Sequence, residues 1–95
     1  LTLQDSRLHL GGVVHFDNAE KVCADGVKLL KQAGKSLVID MQTLSSSNSL
    51  VVAILVSWTR IASSSQQNLH ISHMPDKLRA IISVSGLTAA LPELP

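Results

Sequence analysis

The hydrophobic pattern of the chain changes repeatedly between the two-residue period of strands and the helical period of three to four residues. Segments 2–4 and 7–10 have the strand pattern. A helical stripe then begins near Asn18 and stops at Gly34, a residue type that is common just past helix ends. The continuous apolar run 36–41 is typical of a strand buried on both faces, and we place it in the middle of a sheet.

The second half of the chain repeats this change of period. The polar run Ser45-Ser46-Ser47-Asn48 offers several possible N-caps for a second helix over residues 49–63. Segment 69–74 alternates as a strand, and a third helix opens at Pro75 and stops at Gly86. The order β-β-α-β-α-β-α predicts an α/β fold, with a mixed sheet of about four strands covered by three helices. Strands joined through a helix should be parallel neighbours.

The start of the first helix has a specific predicted geometry. Asp17 and Glu20 have the spacing of a capping box, with Asp in place of Ser or Thr. Phe16 directly precedes this pair, so we expect it to act as a hydrophobic staple on the first turn of the helix.

The second helix is apolar on two sides. At about 100° per residue, one side can cover the sheet, and it consists of Val51, Val52, Leu55, Val56, Thr59 and Ala62. The opposite side consists of Leu50, Ile54, Ser57, Trp58 and Ile61. A small domain has little protein with which to cover both sides of a surface helix, so we expect a protein partner to cover the second one. The alternative is that a neighbouring helix or the tail, residues 87–94, covers it.

Length and charge exclude several classes of protein. A chain of 95 residues is expected to form one domain, 1–95, and its net charge of +1 without a Lys/Arg cluster argues against nucleic acid. The lone Cys23 cannot form an internal disulfide, which favours a cytoplasmic location. The longest apolar run, 50–56, is much shorter than the ~20 residues that span a bilayer.

No set of residues predicts catalysis, a metal or another cofactor. The serines lack a Gly-x-Ser-x-Gly elbow, and no glycine-rich phosphate loop precedes a lysine. The four histidines are His9, His15, His70 and His73. His70 and His73 are three residues apart on a predicted strand, so we expect them on opposite faces of the sheet and unable to share an ion. The sequence therefore predicts a protein that is not an enzyme.

Several local motifs of the chain occur together in a known order. The central one is Ile39-Asp40 at the end of a buried strand, followed by Asn48-Ser49 at the start of an apolar helix. The supporting segments are Leu10 to Phe16, Val52 to Leu55, Trp58 with Arg60 and Ala62, Met74-Pro75 with Leu78, Ser85-Gly86-Leu87, and Leu91-Pro92. These motifs resemble the STAS domain family, and within it the MlaB-type accessory subunits of bacterial phospholipid-transport ABC systems, over almost the whole chain.

The resemblance implies a regulatory subunit that binds the cytoplasmic ATPase of such a transporter and meets the membrane only through it. We expect its partner-binding residues to be Asn48, Ser49, Leu50, Ile54, Trp58 and Ile61. In anti-sigma-factor antagonists of the same family the corresponding Ser is phosphorylated, so an antagonist switched at Ser49 is the alternative, and a ligand-sensing STAS module is a third. Asn48 stands where the signature usually has Asp, and the bulky pair Leu50-Val51 stands where small residues are common, which favours contact over phosphate chemistry.

Overall fold

A four-stranded mixed sheet forms the centre of the molecule. The computed structural model describes residues 1–91 and residue 93. The strands lie across the sheet in chain order, as β1 (Thr2–Gln4), β2 (Arg7–His9), β3 (Ser36–Asp40) and β4 (Asn68–Ser72). β1 is antiparallel to β2, whereas β2, β3 and β4 are mutually parallel. The predicted mixed sheet is confirmed.

Three α-helices connect and follow the parallel strands. They are α1 (Ala19–Gln32), α2 (Ser49–Ser64) and α3 (Asp76–Val84), and a short 3-10 turn, Thr88–Ala90, follows them. The predicted order of elements is confirmed, and their bounds differ from the expected ones by one or two residues. Within the described part of the chain, none of these helices is long and apolar enough to cross a membrane.

The sheet is covered by helices on one face only. The register places Leu8, Ile39 and Ile71 side by side, and all three are fully buried in the common core. The other face carries Val38 and His70, which remain partly or fully exposed. The expectation that β3 is buried on both faces is therefore wrong. The strands β2, β3 and β4 follow one another across the sheet in one direction. Because the helical connections between parallel strands are right-handed, α1 and α2 lie on the same face of the sheet.

The second apolar side of α2 is covered by α1. Trp58 is 0% exposed and Ile54 only 4%. The indole N–H of Trp58 donates to the Cys23 carbonyl oxygen at 3.1 Å. A Cβ atom on Gly26 would lie 2.1 Å from the indole ring, so the absence of a side chain there lets the two helices approach closely. The expectation of an uncovered stripe at Ile54 and Trp58 is wrong, because the chain covers it with its own neighbouring helix.

Two residues of the tail, Leu91 and Glu93, pack elsewhere, against α3 and the edge of β4. Leu91 is buried, and Glu93 forms an isolated parallel bridge with Ile71. The Glu93 carboxylate also pairs with Arg79 of α3, at 2.8 Å between Oε2 and Nη2. Of the predicted tail and the Leu91-Pro92 motif, residues 92, 94 and 95 lie outside the described residues.

Candidate partner-docking surface

The N-terminus of α2 is held in place by both ends of one side-chain amide. The Asn48 Oδ1 accepts a hydrogen bond from the Val51 N–H at 3.1 Å, so Asn48 is the one of the four possible N-caps that the structure uses. Its Nδ2 donates to the Val14 carbonyl oxygen at 3.0 Å. An ionised Asp could accept the first bond but could not donate the second. At this position Asn can therefore make both hydrogen bonds, whereas an ionised Asp could make only the first.

Two loops are joined beside this helix start. The Gly12 N–H donates to the Thr43 carbonyl at 3.1 Å, and the Ser45 N–H donates to the Gly12 carbonyl at 2.8 Å. The Val14 N–H donates to the Ser46 hydroxyl at 2.9 Å. These bonds continue the β2–β3 pairing beyond the ends of both strands. We call the surface formed by residues 11–18, 41–48 and Ser49 the loop edge.

The exposed stripe of α2 runs away from the loop edge along the helix. Ser49, Ala53 and Arg60 are exposed, whereas Val56 and Ser57 are half-buried. Together with Val52, Ile61 and Leu87 they line a shallow groove, which we call the α2 groove. Its lining combines small, aliphatic and polar side chains with a single cation, Arg60. Such a mixed surface suits contact with another protein.

The structure separates the six predicted partner-binding residues into two groups. Asn48, Leu50 and Ile61 are half-buried and Ser49 is exposed, so parts of these four side chains reach the surface. Ile54 and Trp58 are in the core beneath α1 and offer no surface to a partner. Only Ser49 and Ile61 line the α2 groove.

The two most exposed apolar side chains of the loop edge were not among the residues predicted to bind a partner. Phe16 is 88% exposed and Val13 is 57% exposed. Phe16 therefore does not act as a staple. The capping box is wrong as well: α1 has Asn18 as its N-cap, and no side-chain bond caps it. The Asn18 Oδ1 instead accepts from the His15 N–H at 2.9 Å. The position of this phenylalanine, between a glycine pair and the start of a helix, was the feature of the sequence that could have indicated its exposure.

A buried carboxylate supports the base of the loop edge. Asp40 is buried at the end of β3, and its Oδ2 lies 2.9 Å from the Arg7 Nε. Its Oδ1 accepts from the Gln42 N–H at 2.9 Å. Burial acts to raise the pKa of Asp40, but the Gln42 hydrogen bond and the Arg7 pair outweigh it and hold that pKa below its ordinary value. The ionised carboxylate thus ties β2 to the first residues of the 41–48 loop.

His73, which directly follows β4, contacts the same carboxylate. Its Nδ1 lies 3.2 Å from the Asp40 Oδ1, on the face of the sheet that also carries His70. The expectation that His70 and His73 face opposite sides is wrong, because His73 follows the last residue of β4 and has a φ of 58°. Among residues 1–91 and 93, no group of three or more His, Cys, Asp or Glu side chains is arranged to hold a metal ion.

Comparison with known proteins identifies the family. The family model described as "Mlab, STAS domain" matches residues 1–93. The chain belongs to the STAS domain family. The resemblance to this family and to its MlaB group, seen in the sequence motifs, is confirmed. Among curated proteins, none matches the chain.

Two solved structures show how this STAS domain relates to others. A chain of the Acinetobacter MlaFEDB complex in its ATP-bound Vtrans1 conformation is 28% identical, with 97% of each chain covered and a TM-score of 0.84. The anti-sigma factor antagonist SpoIIAA, in its unphosphorylated form, is 17% identical over 94% of this chain and 78% of that chain, with a TM-score of 0.71. The second likeness shows the fold alone.

Proposed function

We propose that this STAS domain is a non-catalytic accessory subunit that binds the cytoplasmic ATPase of a phospholipid-transport ABC complex. The observation that carries this proposal is the 28% identity, over 97% of both chains, to a chain of the MlaFEDB complex. In this role the protein is cytoplasmic and reaches the inner membrane only through its partner. It serves the maintenance of lipid asymmetry in the outer membrane without contacting lipid.

The surface proposed for this contact is the α2 groove together with the part of the loop edge at Asn48 and Ser49. Ser49 lies where the two surfaces meet, and Ile61 lies at the far end of the groove. The N-terminal turn of α2 is fixed by the Asn48 hydrogen bonds, so the contact surface is formed before binding. A subunit that binds the assembled, nucleotide-competent ATPase more tightly than other states shifts the population toward that state. Binding alone, without chemistry, then changes transport.

Capture from native cells with a matched pair of charge substitutions tests the proposal. Ala53→Asp places a carboxylate in the α2 groove, and Ala24→Asp places the same carboxylate on the exposed side of α1. We expect the tagged wild-type protein and Ala24→Asp to co-purify with the ATPase and permease subunits, and Ala53→Asp to lose them. A wild-type protein that captures no ATPase would contradict the function. Equal capture by both variants would exclude the α2 groove as the contact.

The second candidate function is an anti-sigma-factor antagonist regulated by phosphorylation of Ser49. The observation that favours it is the position of Ser49, exposed in the first turn of a 16-residue helix. A phosphate there would meet unpaired backbone N–H groups and the positive end of the helix dipole. Mass spectrometry of the protein from growing cells tests this function. Phosphate on Ser49 whose level follows release of a bound kinase would favour the antagonist over the transporter subunit.

A further inference from the structure

Phe16 is exposed on an ordered part of the loop edge. It is the only Phe in the sequence, and its 88% exposure, with Val13 at 57%, leaves an apolar patch in solvent. Neither side chain belongs to the groove that the family motifs point to. Aromatic side chains are enriched in the centres of protein interfaces, where they dominate the binding energy.

Phe16 is held outward by hydrogen bonds that connect the residues before it with the residues after it. The Asn18 side chain accepts from the His15 N–H at 2.9 Å and donates to the Val13 carbonyl at 2.8 Å. The Ala19 N–H donates to the His15 carbonyl at 2.9 Å, which joins the turn to the start of α1. Phe16 therefore lies at the tip of a closed turn. Such a preformed anchor loses little conformational entropy when it binds.

This turn shares one rigid frame with the start of α2. Val14 lies between Val13 and Phe16 in sequence, yet it is buried in the core. Its N–H and carbonyl groups both bond to the 46–48 segment, through the Ser46 hydroxyl at 2.9 Å and the Asn48 amide at 3.0 Å. A partner seated on Ser49 and the α2 groove is thus continuous with the surface that presents Phe16.

The rim around Phe16 is acidic. The Asp17 side chain is 90% exposed, and the closest basic group to it is the His15 imidazole, with Nδ1 at 3.9 Å from Oδ2. Glu20 is exposed one turn further along. The nearby Lys21 is already paired with Asp25, at 2.8 Å between Nζ and Oδ2. The charge next to the anchor is therefore negative, which complements a basic surface.

We infer that the turn of residues 13–17 is a second contact segment, in which Phe16 enters an apolar pocket of the ATPase subunit and Asp17 faces a basic side chain at the pocket rim. This inference rests on the proposed function and deepens it. It assigns a hot spot outside the α2 groove. It also states the chemistry of the partner surface, an apolar pocket with a positive rim.

Titration calorimetry of the purified full-length protein with the purified ATPase subunit tests the inference. We expect Phe16→Ala to weaken binding by about 10- to 100-fold and to leave the melting temperature unchanged, because the ring makes little contact with the fold. Val84→Ala is the matched control, since Val84 is 90% exposed on the last turn of α3. It should bind like the wild type. Asp17→Asn should weaken binding a few-fold at low salt and reduce its salt dependence.

The outcomes separate the inference from the function on which it rests. If Phe16→Ala binds like the wild type while Ala53→Asp loses binding, the second contact is overturned and the function stands. If the wild-type protein does not bind the ATPase, both fail. Loss of binding by Phe16→Ala, with Val84→Ala unchanged, supports the inference, and recovery of most of the affinity by Phe16→Leu supports an apolar pocket.

Discussion

Gly26→Ala should destabilise this domain, although alanine favours helices over glycine. Gly26 is buried in the middle of α1, and the added methyl group would lie 2.1 Å from Cζ2, 2.3 Å from Cε2 and 2.7 Å from Nε1 of Trp58. All three distances are shorter than real Cβ contacts, so the helix or the indole must move. Trp58 is fully buried, and its indole N–H donates a hydrogen bond to the Cys23 carbonyl at 3.1 Å. Neither the indole ring nor α1 can therefore shift without disturbing other contacts in the core.

Three contributions to the unfolding free energy of Gly26→Ala give the size of the expected loss. Alanine gains up to about 1 kcal/mol over glycine in a helix interior. Overpacking of a core typically costs about 1–3 kcal/mol. Loss of the indole hydrogen bond leaves a buried donor unpaired at a cost of about 1–3 kcal/mol. The net expectation is a loss of roughly 1–5 kcal/mol, and each kcal/mol lowers the melting temperature of a domain of this size by about 4–8 °C.

Urea and thermal unfolding followed by circular dichroism measure this loss, and Gly34→Ala provides the control. Among the described residues, no atom other than those of Gly34 and its two chain neighbours lies within 4 Å of a Cβ built on Gly34, and the Gly34 backbone is outside the positive-φ region. Gly34→Ala should therefore be neutral or stabilise the fold by up to about 1 kcal/mol. If Gly26→Ala is as stable as Gly34→Ala, the close packing of α1 on Trp58 is refuted, and with it the assignment of Trp58 to the core.

Three further predictions concern the side chains of Trp58, Asp40 and Asn48. Trp58→Ala should lower the unfolding free energy about as much as Leu55→Ala, by roughly 3–5 kcal/mol; a Trp58→Ala protein that melts like the wild type would contradict its burial. Because the pKa of Asp40 is lower in the folded state, its contribution to stability is present above the unfolded pKa and is lost as pH falls through the folded value. Asp40→Asn should thus destabilise the protein at neutral pH and show a smaller further loss in urea titrations at acidic pH, whereas parallel pH profiles would refute this. Asn48→Asp should cost about 1 kcal/mol in urea unfolding, because the cap survives but the bond to the Val14 carbonyl does not; an unchanged midpoint would argue against that bond.

The sequence by itself determined the elements and their order. Strands and helices differ in the spacing of their apolar residues along the sequence. The bounds of β1 to β4 and α1 to α3 could therefore be predicted to within one or two residues. The parallel pairing of β2, β3 and β4 followed from the helices between them. An N-cap within residues 45–48 could also be predicted, because Ser and Asn side chains accept hydrogen bonds from the first turn of a helix, and the structure showed that Asn48 is the residue used.

Only the tertiary structure decided which of the apolar positions remain at the surface. Periodicity showed that α2 is apolar on two sides, but it could not show that α1 approaches closely enough, at Gly26, to bury Trp58. In the same way, Phe16 has the sequence position of a staple, but the Asn18 side chain bonds back to Val13 and His15 and closes a turn that leaves Phe16 in solvent. Burial depends on distances between elements far apart in the chain, and a one-dimensional pattern does not contain those distances.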